Sequence, residues 1–482
     1  MIIVPASARH ASRLLALGAM PVTALLAAAA LAAAQAKAPL GTLPLGQLVE
    51  GIRCESDATQ SYTLYLPEAY SPARRWPALL VLDPRGRSVL AAELFRAAAE
   101  AHGFILLSSN DTRSDGPMAV NTKALQALWP EVHRRYASDP RRIYAAGFSG
   151  GGMLAYELGR RTDGLAGVIA SGSRWEGAHF DERVAFPCFG AAGDTDFNYS
   201  PMRAVHARLR EWGTPERLVV FEGRHQWMPA ELAAEALVWM ELLAMKSGLR
   251  PPDRDFAASR LAQQLARARA LEAQGRPLDA LGRFESAART FDGLADVAEA
   301  RREAARVAAL AATKSARREQ SAWDRYEQGT SRVLARAYRK LLGSDPPLLA
   351  AAFRGEVQLD ELRRHAAAPG YEGVVGRRLL YTLATETGFY MARELLARKE
   401  NTRALAALAV ATEATPDRPV YWYNLACVQA RLGGRRQALD ALERAVAAGY
   451  SDRAAMAADL DLASLREEER FKVLVGSPVP TP

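Results

Sequence analysis

The order of hydrophobic patterns along the chain limits the folds it can adopt. From about residue 60 to 247, short runs that are apolar on both faces alternate with segments of helical periodicity. Strands that are apolar on both faces are typical of parallel sheets covered by helices on both sides. The alternation predicts a doubly wound α/β domain over residues 37–248. The polar segment that precedes the first run favours an antiparallel first strand at the edge.

Seven apolar runs are predicted as strands, and single helix-like segments fill most of the gaps between them. The strands are expected at 62–66, 78–82, 105–109, 143–147, 165–171, 186–192 and 218–221. None of the gaps suggests an extended lid. The pattern therefore indicates an accessible site and a soluble or polymer-end substrate.

The alternation stops at a Gly- and Pro-containing stretch, which predicts a linker over residues 249–255. Every later segment has a helical pattern, which predicts an all-α domain over residues 256–482. The net charge of +8 comes mainly from this part of the chain. Its basic residues are not interleaved with aromatic ones, which favours a solvated helical surface and argues against nucleic-acid binding.

The helical part contains similar units 34 residues apart. It resembles the tetratricopeptide repeat, a hairpin of two helices, over residues 261–294, 385–418 and 419–452. The resemblance implies a short stack with a concave face for a protein partner, and an ordinary helical bundle is the alternative. The matching positions are Ala268, Gly275, Ala280, Phe284 and Ala287 in the first unit, Ala404, Leu408 and Ala411 in the second, and Ala426, Gly433, Ala438, Leu442 and Ala445 in the third.

A Gly-x-Ser-x-Gly motif at Gly147–Gly151 follows the apolar run 143–147 and precedes a helix-like segment. A tight strand-to-helix turn lifts its middle residue, Ser149, to the apex with the hydroxyl exposed. Small flanking residues are needed because the strand and the helix approach closely in such a turn. The motif predicts that Ser149 is a nucleophile.

Acyl transfer by a serine also needs an imidazole to accept the proton and a carboxylate to orient the imidazole. Asp194 and Asp196 follow the run 186–192, and His225 follows the run 218–221. Loops beyond the carboxyl ends of parallel strands are where such sheets bind ligands. The sequence therefore predicts a triad of Ser149, His225 and one of these two aspartates.

Residues 60–247 resemble the α/β-hydrolase superfamily, and most closely its secreted esterases of the polyhydroxybutyrate depolymerase-like and feruloyl-esterase-like kind. The resemblance rests on residues 139–144 leading into Gly147–Gly151, on residues 193–196, and on His225 with Trp227 two residues later. In that group the acid usually falls three residues after the glycine. The resemblance therefore favours Asp196 as the acid, with Asp194 as the alternative.

An oxyanion hole needs two hydrogen-bond donors, usually backbone N–H groups. The first is expected at Gly150, which directly follows the nucleophile. The second is expected from Arg85 or Gly86, in the loop after the run 78–82, although the His-Gly-Gly of many esterases is missing there. Trp227 and Asn110 are candidates for the substrate pocket, with a packing role and a solvated turn as their respective alternatives.

The N-terminal segment, residues 1–36, predicts export. Arg9 and Arg13 precede an apolar stretch that ends in Ala-x-Ala sequences. Cleavage would give a periplasmic or extracellular protein, and retention would give a membrane anchor.

The three cysteines leave open a Cys54–Cys188 disulfide, although buried thiols are favoured. Cys and His residues do not have metal-ligand spacing in this sequence, and neither a metal nor an organic cofactor is predicted.

Three functions are compatible with these features. The first is a secreted serine hydrolase that cleaves a carboxylic ester of a small molecule or polymer end, with the helical domain recruiting a partner or presenting substrate. The second is a peptidase or amidase on the same fold, against which the C-terminal, repeat-like position of the helical domain argues. The third is a non-catalytic interaction protein, which would be expected to have lost part of the triad.

Overall fold

The structure is a computed structural model that describes residues 43–175 and 183–476. The predicted export signal, residues 1–36, lies outside the described residues. Two compact units divide the described chain. The sheet unit contains residues 43–175, 183–193 and 198–316, and the helical unit contains residues 194–197 and 317–476. Among the described helices, none is both long enough and apolar enough to cross a membrane.

The sheet unit contains the doubly wound sheet that the sequence predicts. Eight strands lie in the order β1-β2-β4-β3-β5-β6-β7-β8, and all pairs from β4 to β8 are parallel. The strands are β1 Leu48–Arg53, β2 Ser61–Tyr65, β3 Trp76–Leu82, β4 Ile105–Ser109, β5 Ser138–Phe148, β6 Leu165–Ser171, β7 Cys188–Gly193 and β8 Glu216–Phe221.

Helices cover both faces of this sheet. They are α1 Ser88–His102, α2 Met118–Arg134, α3 Gly150–Arg161, α4 Tyr199–Glu211 and α5 Ala230–Lys246. The central strand β3 contributes Ala78, Leu80 and Leu82 to one hydrophobic core, and Leu79 and Val81 to the other. Alternate residues of a strand point to opposite faces, so an uninterrupted apolar run is what a doubly covered strand requires.

The edge of the sheet differs from the sequence-based prediction in one strand. The first predicted run, now β2, is antiparallel to β4, as its polar surroundings suggested, but β1 pairs with it and forms the edge. The sequence pattern missed β1 because the strand is partly exposed and contains Gly51, where the pairing register shifts. A polar, irregular edge strand lacks the apolar run by which the other strands were recognised.

The unit boundary also differs from the predicted linker at 249–255. The helices α6 Arg254–Ala273, α7 Pro277–Phe291 and α8 Ala298–Ala309 belong to the sheet unit. Leu242 and Met245 of α5 share a buried core with Leu261 of α6 and Phe284 of α7. The repeat-like hairpin predicted at 261–294 is therefore packed on the last helix of the α/β fold.

A buried ion cluster also links these helices to the sheet. Glu235 of α5 is paired with Arg217 of β8, with Arg267 of α6 at 3.1 Å and with Arg283 of α7 at 2.9 Å. Burial alone would raise the pKa of Glu235, but the positive charges of Arg217 and Arg283 outweigh it and hold the pKa below its usual value. The cluster thus ties α6 and α7 to the sheet.

Helices make up nearly all of the remaining described chain. They are α9 Ala311–Gly343, α10 Ala350–Glu356, α11 Leu359–Ala367, α12 Gly370–Thr385, α13 Ala392–Ala397, α14 Asn401–Ala414, α15 Pro419–Arg431, α16 Arg435–Ala447, α17 Arg453–Ala458 and α18 Glu469–Gly476, with a π-helical segment at Glu386–Met391 and a 3₁₀ segment at Leu460–Leu465. Helices α15 and α16 form a hairpin that turns at Gly433, where φ is +83°. A hairpin fits residues 419–452, but membership of the tetratricopeptide-repeat family stays a prediction.

The helical unit includes residues Asp194–Phe197, which follow β7 in the chain. Within this unit, Arg378 donates to the backbone carbonyl of Asp194, and the rings of Phe197 and Tyr381 lie 6.0 Å apart. Arg378 is almost fully buried and makes a two-pronged ion pair with Glu327, with N–O distances of 2.9 and 2.6 Å. A buried guanidinium needs such partners, because unpaired it would be strongly destabilising.

The cysteines do not form a disulfide. Cys54, Cys188 and Cys427 are all free and buried. This outcome agrees with the favoured interpretation of buried thiols and excludes the Cys54–Cys188 pair in this structure.

Replacing Glu235 by Gln is expected to lower the free energy of unfolding by about 3 kcal/mol at pH 7, because three arginines lose their counter-charge. The native pKa of Glu235 is depressed, so its stabilisation is complete above the ordinary glutamate value of about 4.3 and is lost as the pH falls through the native value. Urea unfolding of both proteins should therefore give stabilities that converge in strongly acidic buffer. Glu231→Gln, at an exposed position of the same helix, is the matched control. A stability difference that did not depend on pH would contradict this account.

Candidate functional site

Ser149 lies at the apex of the turn between β5 and α3, as the motif predicts. Its φ of +51° and ψ of −124° are unusual for a residue with a side chain and mark a strained turn. The turn is tight, since a Cβ on Gly147 would lie 2.1 Å from the carbonyl oxygen of Gly151. The start of α3 also packs against the neighbouring strand β3, since a Cβ on Gly151 would lie 1.9 Å from the carbonyl oxygen of Leu82. The glycines of the motif are therefore required by close backbone contacts.

His225 lies in the loop after β8, with its Nε2 atom 2.9 Å from the hydroxyl oxygen of Ser149. Ser171, at the carboxyl end of β6, fixes both sides of this contact. Its carbonyl oxygen accepts from the Ser149 N–H at 2.9 Å, and its hydroxyl oxygen accepts from the Met228 N–H at 2.8 Å. The backbone of the nucleophile and the loop that carries His225 are thus both hydrogen-bonded to Ser171.

Aromatic side chains pack against the loop that carries His225. The rings of Phe148 and His225 lie 4.6 Å apart, and Trp227 lies 5.7 Å from Phe148 and 6.1 Å from Phe95. Trp227 is only 9% exposed. Its contacts favour the packing role over the substrate-pocket role that the sequence left open.

The segment with the two candidate acids follows the last residue of β7, Gly193. A Cβ on Gly193 would lie 2.4 Å from the carbonyl oxygen of Gly223 and 2.5 Å from that of Arg224. The carboxyl end of β7 therefore lies against the loop that carries His225. Asp196 is fully buried, whereas Asp194 is partly exposed.

Asp83 organises the loop after β3, a role that the sequence analysis missed. The side chain is fully buried and accepts from Arg87 through two N–H groups, at 3.0 and 2.8 Å, and from the indole N–H of Trp227 at 2.8 Å. Burial alone would raise the pKa of Asp83, but the hydrogen bonds from Arg87, Trp227 and Arg85 outweigh it and hold the pKa below its usual value. Asp83 thereby joins this loop to the histidine loop.

The second oxyanion donor expected from Arg85 or Gly86 is not available in this structure. The Arg85 N–H donates to a carboxylate oxygen of Asp83 at 2.8 Å, and the Gly86 N–H donates to the Asp83 carbonyl at 3.1 Å. Gly86 also has a φ of +64° and is packed against Asn110 and Arg113. These amides shape the loop, and the prediction that one of them holds the oxyanion needs correction. Gly150, as the first residue of α3, keeps the position expected of the other donor.

Asn110, whose pocket role stays an open prediction, makes structural contacts within the sheet unit. Its side-chain amide donates to the Ser61 hydroxyl at 2.9 Å, and its side-chain oxygen accepts from the Ser88 hydroxyl. Both ends of the side chain are therefore used to hold the loop after β4 against neighbouring elements.

One cluster in the described chain has the composition of a metal site, and it lies in the helical unit. Cys427, Asp459 and Asp461 have ligand atoms within 4.8 Å of one another. Asp459 accepts from the Tyr423 hydroxyl at 2.6 Å and from the Asp461 N–H at 3.0 Å, and Asp461 pairs with Arg431 at 2.8 Å. Burial raises the pKa of the Cys427 thiol to about 12, which disfavours the thiolate that a metal would need. Protein hydrogen bonds and an ion pair thus already satisfy the carboxylates of Asp459 and Asp461.

No protein-family model matches this sequence, and no curated protein sequence matches it either. The sheet is similar to that of several solved structures. S-formylglutathione hydrolase from Staphylococcus aureus is 15% identical, with 42% of this chain and 99% of that chain covered and a TM-score of 0.35. An esterase from Pyrobaculum calidifontis is 12% identical over 42% of this chain and 87% of its own, with a TM-score of 0.35. Dipeptidyl peptidase 4 from Porphyromonas gingivalis is 16% identical over 37% of this chain and 32% of its own, with a TM-score of 0.31.

Similarities of this size do not decide what the chain does. The geometry around Ser149 and His225 is therefore the basis for assigning a function.

Proposed function

We propose that this protein is a serine hydrolase that cleaves a carboxylic ester. The observation that carries the proposal is the distance of 2.9 Å between His225 Nε2 and Ser149 Oγ, at the apex of a strained turn. A strained backbone persists only where its surroundings impose it, and such strain is concentrated at functional sites. A serine hydroxyl becomes a useful nucleophile when an imidazole lies within hydrogen-bond reach.

The proposed reaction proceeds through an acyl-enzyme. Ser149 Oγ attacks the carbonyl carbon of the ester, and its proton passes to His225 Nε2. The protonated imidazole then gives this proton to the departing alkoxide, and water repeats the sequence on the acyl-enzyme. The Gly150 N–H donates to the oxyanion in each tetrahedral intermediate. This chemistry requires no metal and no organic cofactor.

Asp196 is our candidate for the carboxylate that orients His225. The burial of Asp196 favours it, because a carboxylate out of contact with water needs a charged or hydrogen-bonding partner. The carboxyl end of β7, from which this segment leaves, lies against the histidine loop. Asp194, which is partly exposed, stays the alternative.

A group of exposed apolar side chains at the starts of three helices, here called the apolar collar, favours a substrate with a hydrophobic group. Among the described residues of the sheet unit, five of the seven exposed large apolar side chains belong to the first turns of the helices that follow β3, β4 and β5: Val89, Leu90, Met118, Val120 and Met153. These strands are neighbours in the sheet, and their carboxyl ends share the edge with Ser149. Exposed apolar residues that cluster in this way are typical of binding surfaces.

Hydrolysis of an amide by the same residues is the alternative reaction, and a non-catalytic interaction protein is the alternative of a different class. For the helical unit we propose protein interaction or substrate presentation. Export to the periplasm or the cell exterior is proposed from residues 1–36.

Purified protein is expected to hydrolyse p-nitrophenyl esters, with kcat/KM rising from the acetate to the octanoate because the longer acyl chain buries more of the apolar collar. Ser149→Ala should abolish turnover, and His225→Gln should lower it by at least 1,000-fold. The corresponding p-nitroanilides measure the alternative reaction. Faster turnover of anilides would favour the amidase, and no turnover of either class would argue for the interaction protein.

The two candidate acids can be separated by a matched pair of substitutions. Asp196→Asn is expected to lower kcat by about 10⁴-fold, because an amide at this position favours the wrong tautomer of the histidine. Asp194→Asn should leave kcat within about threefold. Steady-state kinetics on the best ester measures both variants, and circular dichroism checks their folding. The reverse pattern would make Asp194 the acid.

A further inference from the structure

The proposed reaction lacks one hydrogen-bond donor. A tetrahedral oxyanion is normally held by two, and Gly150 supplies only one of them. The amides of Arg85 and Gly86, the expected source of the second, already donate to Asp83. A further donor must therefore come from another group that lies near Gly150.

Ser114 has the required position. It lies in the loop after β4, and its backbone N–H donates to the carbonyl oxygen of Pro84 at 2.7 Å, which ties this loop to the one after β3. Its hydroxyl lies directly against Gly150, where a Cβ would be only 2.0 Å from Ser114 Oγ. The absence of a side chain at Gly150 is therefore what lets this hydroxyl approach the turn that carries Ser149.

The hydroxyl of Ser114 also makes no hydrogen bond within the described chain. Its oxygen is buried, and it has no hydrogen-bond partner in the described chain. Burying a hydroxyl without a partner costs free energy, and such a group in a native structure requires an explanation. The neighbouring Thr112 shows the ordinary arrangement, since its buried hydroxyl donates to the Asp83 carbonyl at 2.9 Å.

We propose that the Ser114 hydroxyl is the second oxyanion donor. This inference rests on the proposed esterase activity and adds a catalytic residue to it. When Ser149 Oγ forms its bond to the carbonyl carbon, the π electron pair of the carbonyl moves onto oxygen. The O–H of Ser114 donates to that oxygen and keeps its own proton, while the proton of Ser149 passes to His225. The hydroxyl thus makes no hydrogen bond within the described chain of the free enzyme and donates one to the oxyanion in the transition state.

This role predicts a separation of stability from activity. Ser114→Ala should lower kcat on the order of 100-fold with KM within about twofold, because the donor acts mainly on the transition state. Its midpoint of urea unfolding should be unchanged or higher, because an unsatisfied hydroxyl is removed. Thr112→Val, which removes a satisfied hydroxyl from the same loop, should lower the unfolding midpoint.

A transition-state analogue tests the contact itself. Ser149 Oγ adds to the carbonyl carbon of an ester-like trifluoromethyl ketone, and the resulting hemiketal carries an oxyanion. The affinity of this inhibitor for Ser114→Ala should therefore fall by about the same factor as kcat. Ser114→Cys preserves the volume of the side chain with a much weaker donor and should resemble Ser114→Ala. Ser114→Thr keeps a hydroxyl and should recover part of kcat.

The outcomes distinguish this inference from the proposed function. If the wild type turns over no ester, the proposed function fails, and this inference fails with it. If the wild type is active and depends on Ser149, but Ser114→Ala keeps kcat and inhibitor affinity within about twofold, only the role of Ser114 is refuted. A rise in KM with unchanged kcat would make Ser114 a ground-state contact and would also overturn the inference.

Discussion

The close approach of β5 and α3 at Ser149 is the constraint on which the rest of the site depends. The turn needs Gly147 without a side chain, and the packing of α3 on β3 needs Gly151 without one, since a Cβ at either position would lie about 2 Å from a backbone oxygen. The strained backbone of Ser149 directs its hydroxyl towards the histidine loop and leaves Gly150 at the start of the helix. One local conformation thus sets the nucleophile and one oxyanion donor.

Two polar side chains at strand ends couple the loops around this turn. Ser171 binds the backbone of Ser149 through its carbonyl and the backbone of Met228 through its hydroxyl. Asp83 shapes the loop after β3 and accepts from Trp227 in the histidine loop. Because each residue bonds to the histidine loop from the end of a strand, this loop is anchored to the sheet at two points. A rigid scaffold of this kind is what precise catalytic geometry requires.

The parts of the fold that were predictable from the sequence have a strong local signal. The buried strands are apolar on both faces, and Ser149 and His225 each follow one of them. The sequence therefore predicted that these two residues lie close together. The contacts of Asn110 were not predictable because its partners, Ser61 and Ser88, are distant in sequence. The contact of Arg85 was not predictable because its N–H binds the side chain of the nearby Asp83, and this depends on the local conformation of the loop. Hydrogen bonds of this kind leave no periodic pattern in a sequence.

The unit boundary was misjudged for a related reason. Helices α6 and α7 have the repeat-like pattern of the helical part, but they pack on α5 and share the ion cluster of Glu235. Their amphipathic pattern shows that one face is buried, and it does not show which element covers that face. Asp83 left a weak signal, since a carboxylate that directly follows a central strand lies at the edge where such sheets hold their ligands.

Covalent labelling tests the central claim, an activated Ser149, without knowledge of the substrate. The protein is incubated with a fluorophosphonate, and the adduct is counted by intact mass and mapped by peptide sequencing. The account predicts one adduct per chain, on Ser149, formed with a rate that falls sharply in His225→Gln. No adduct, or an adduct on another serine, would contradict it.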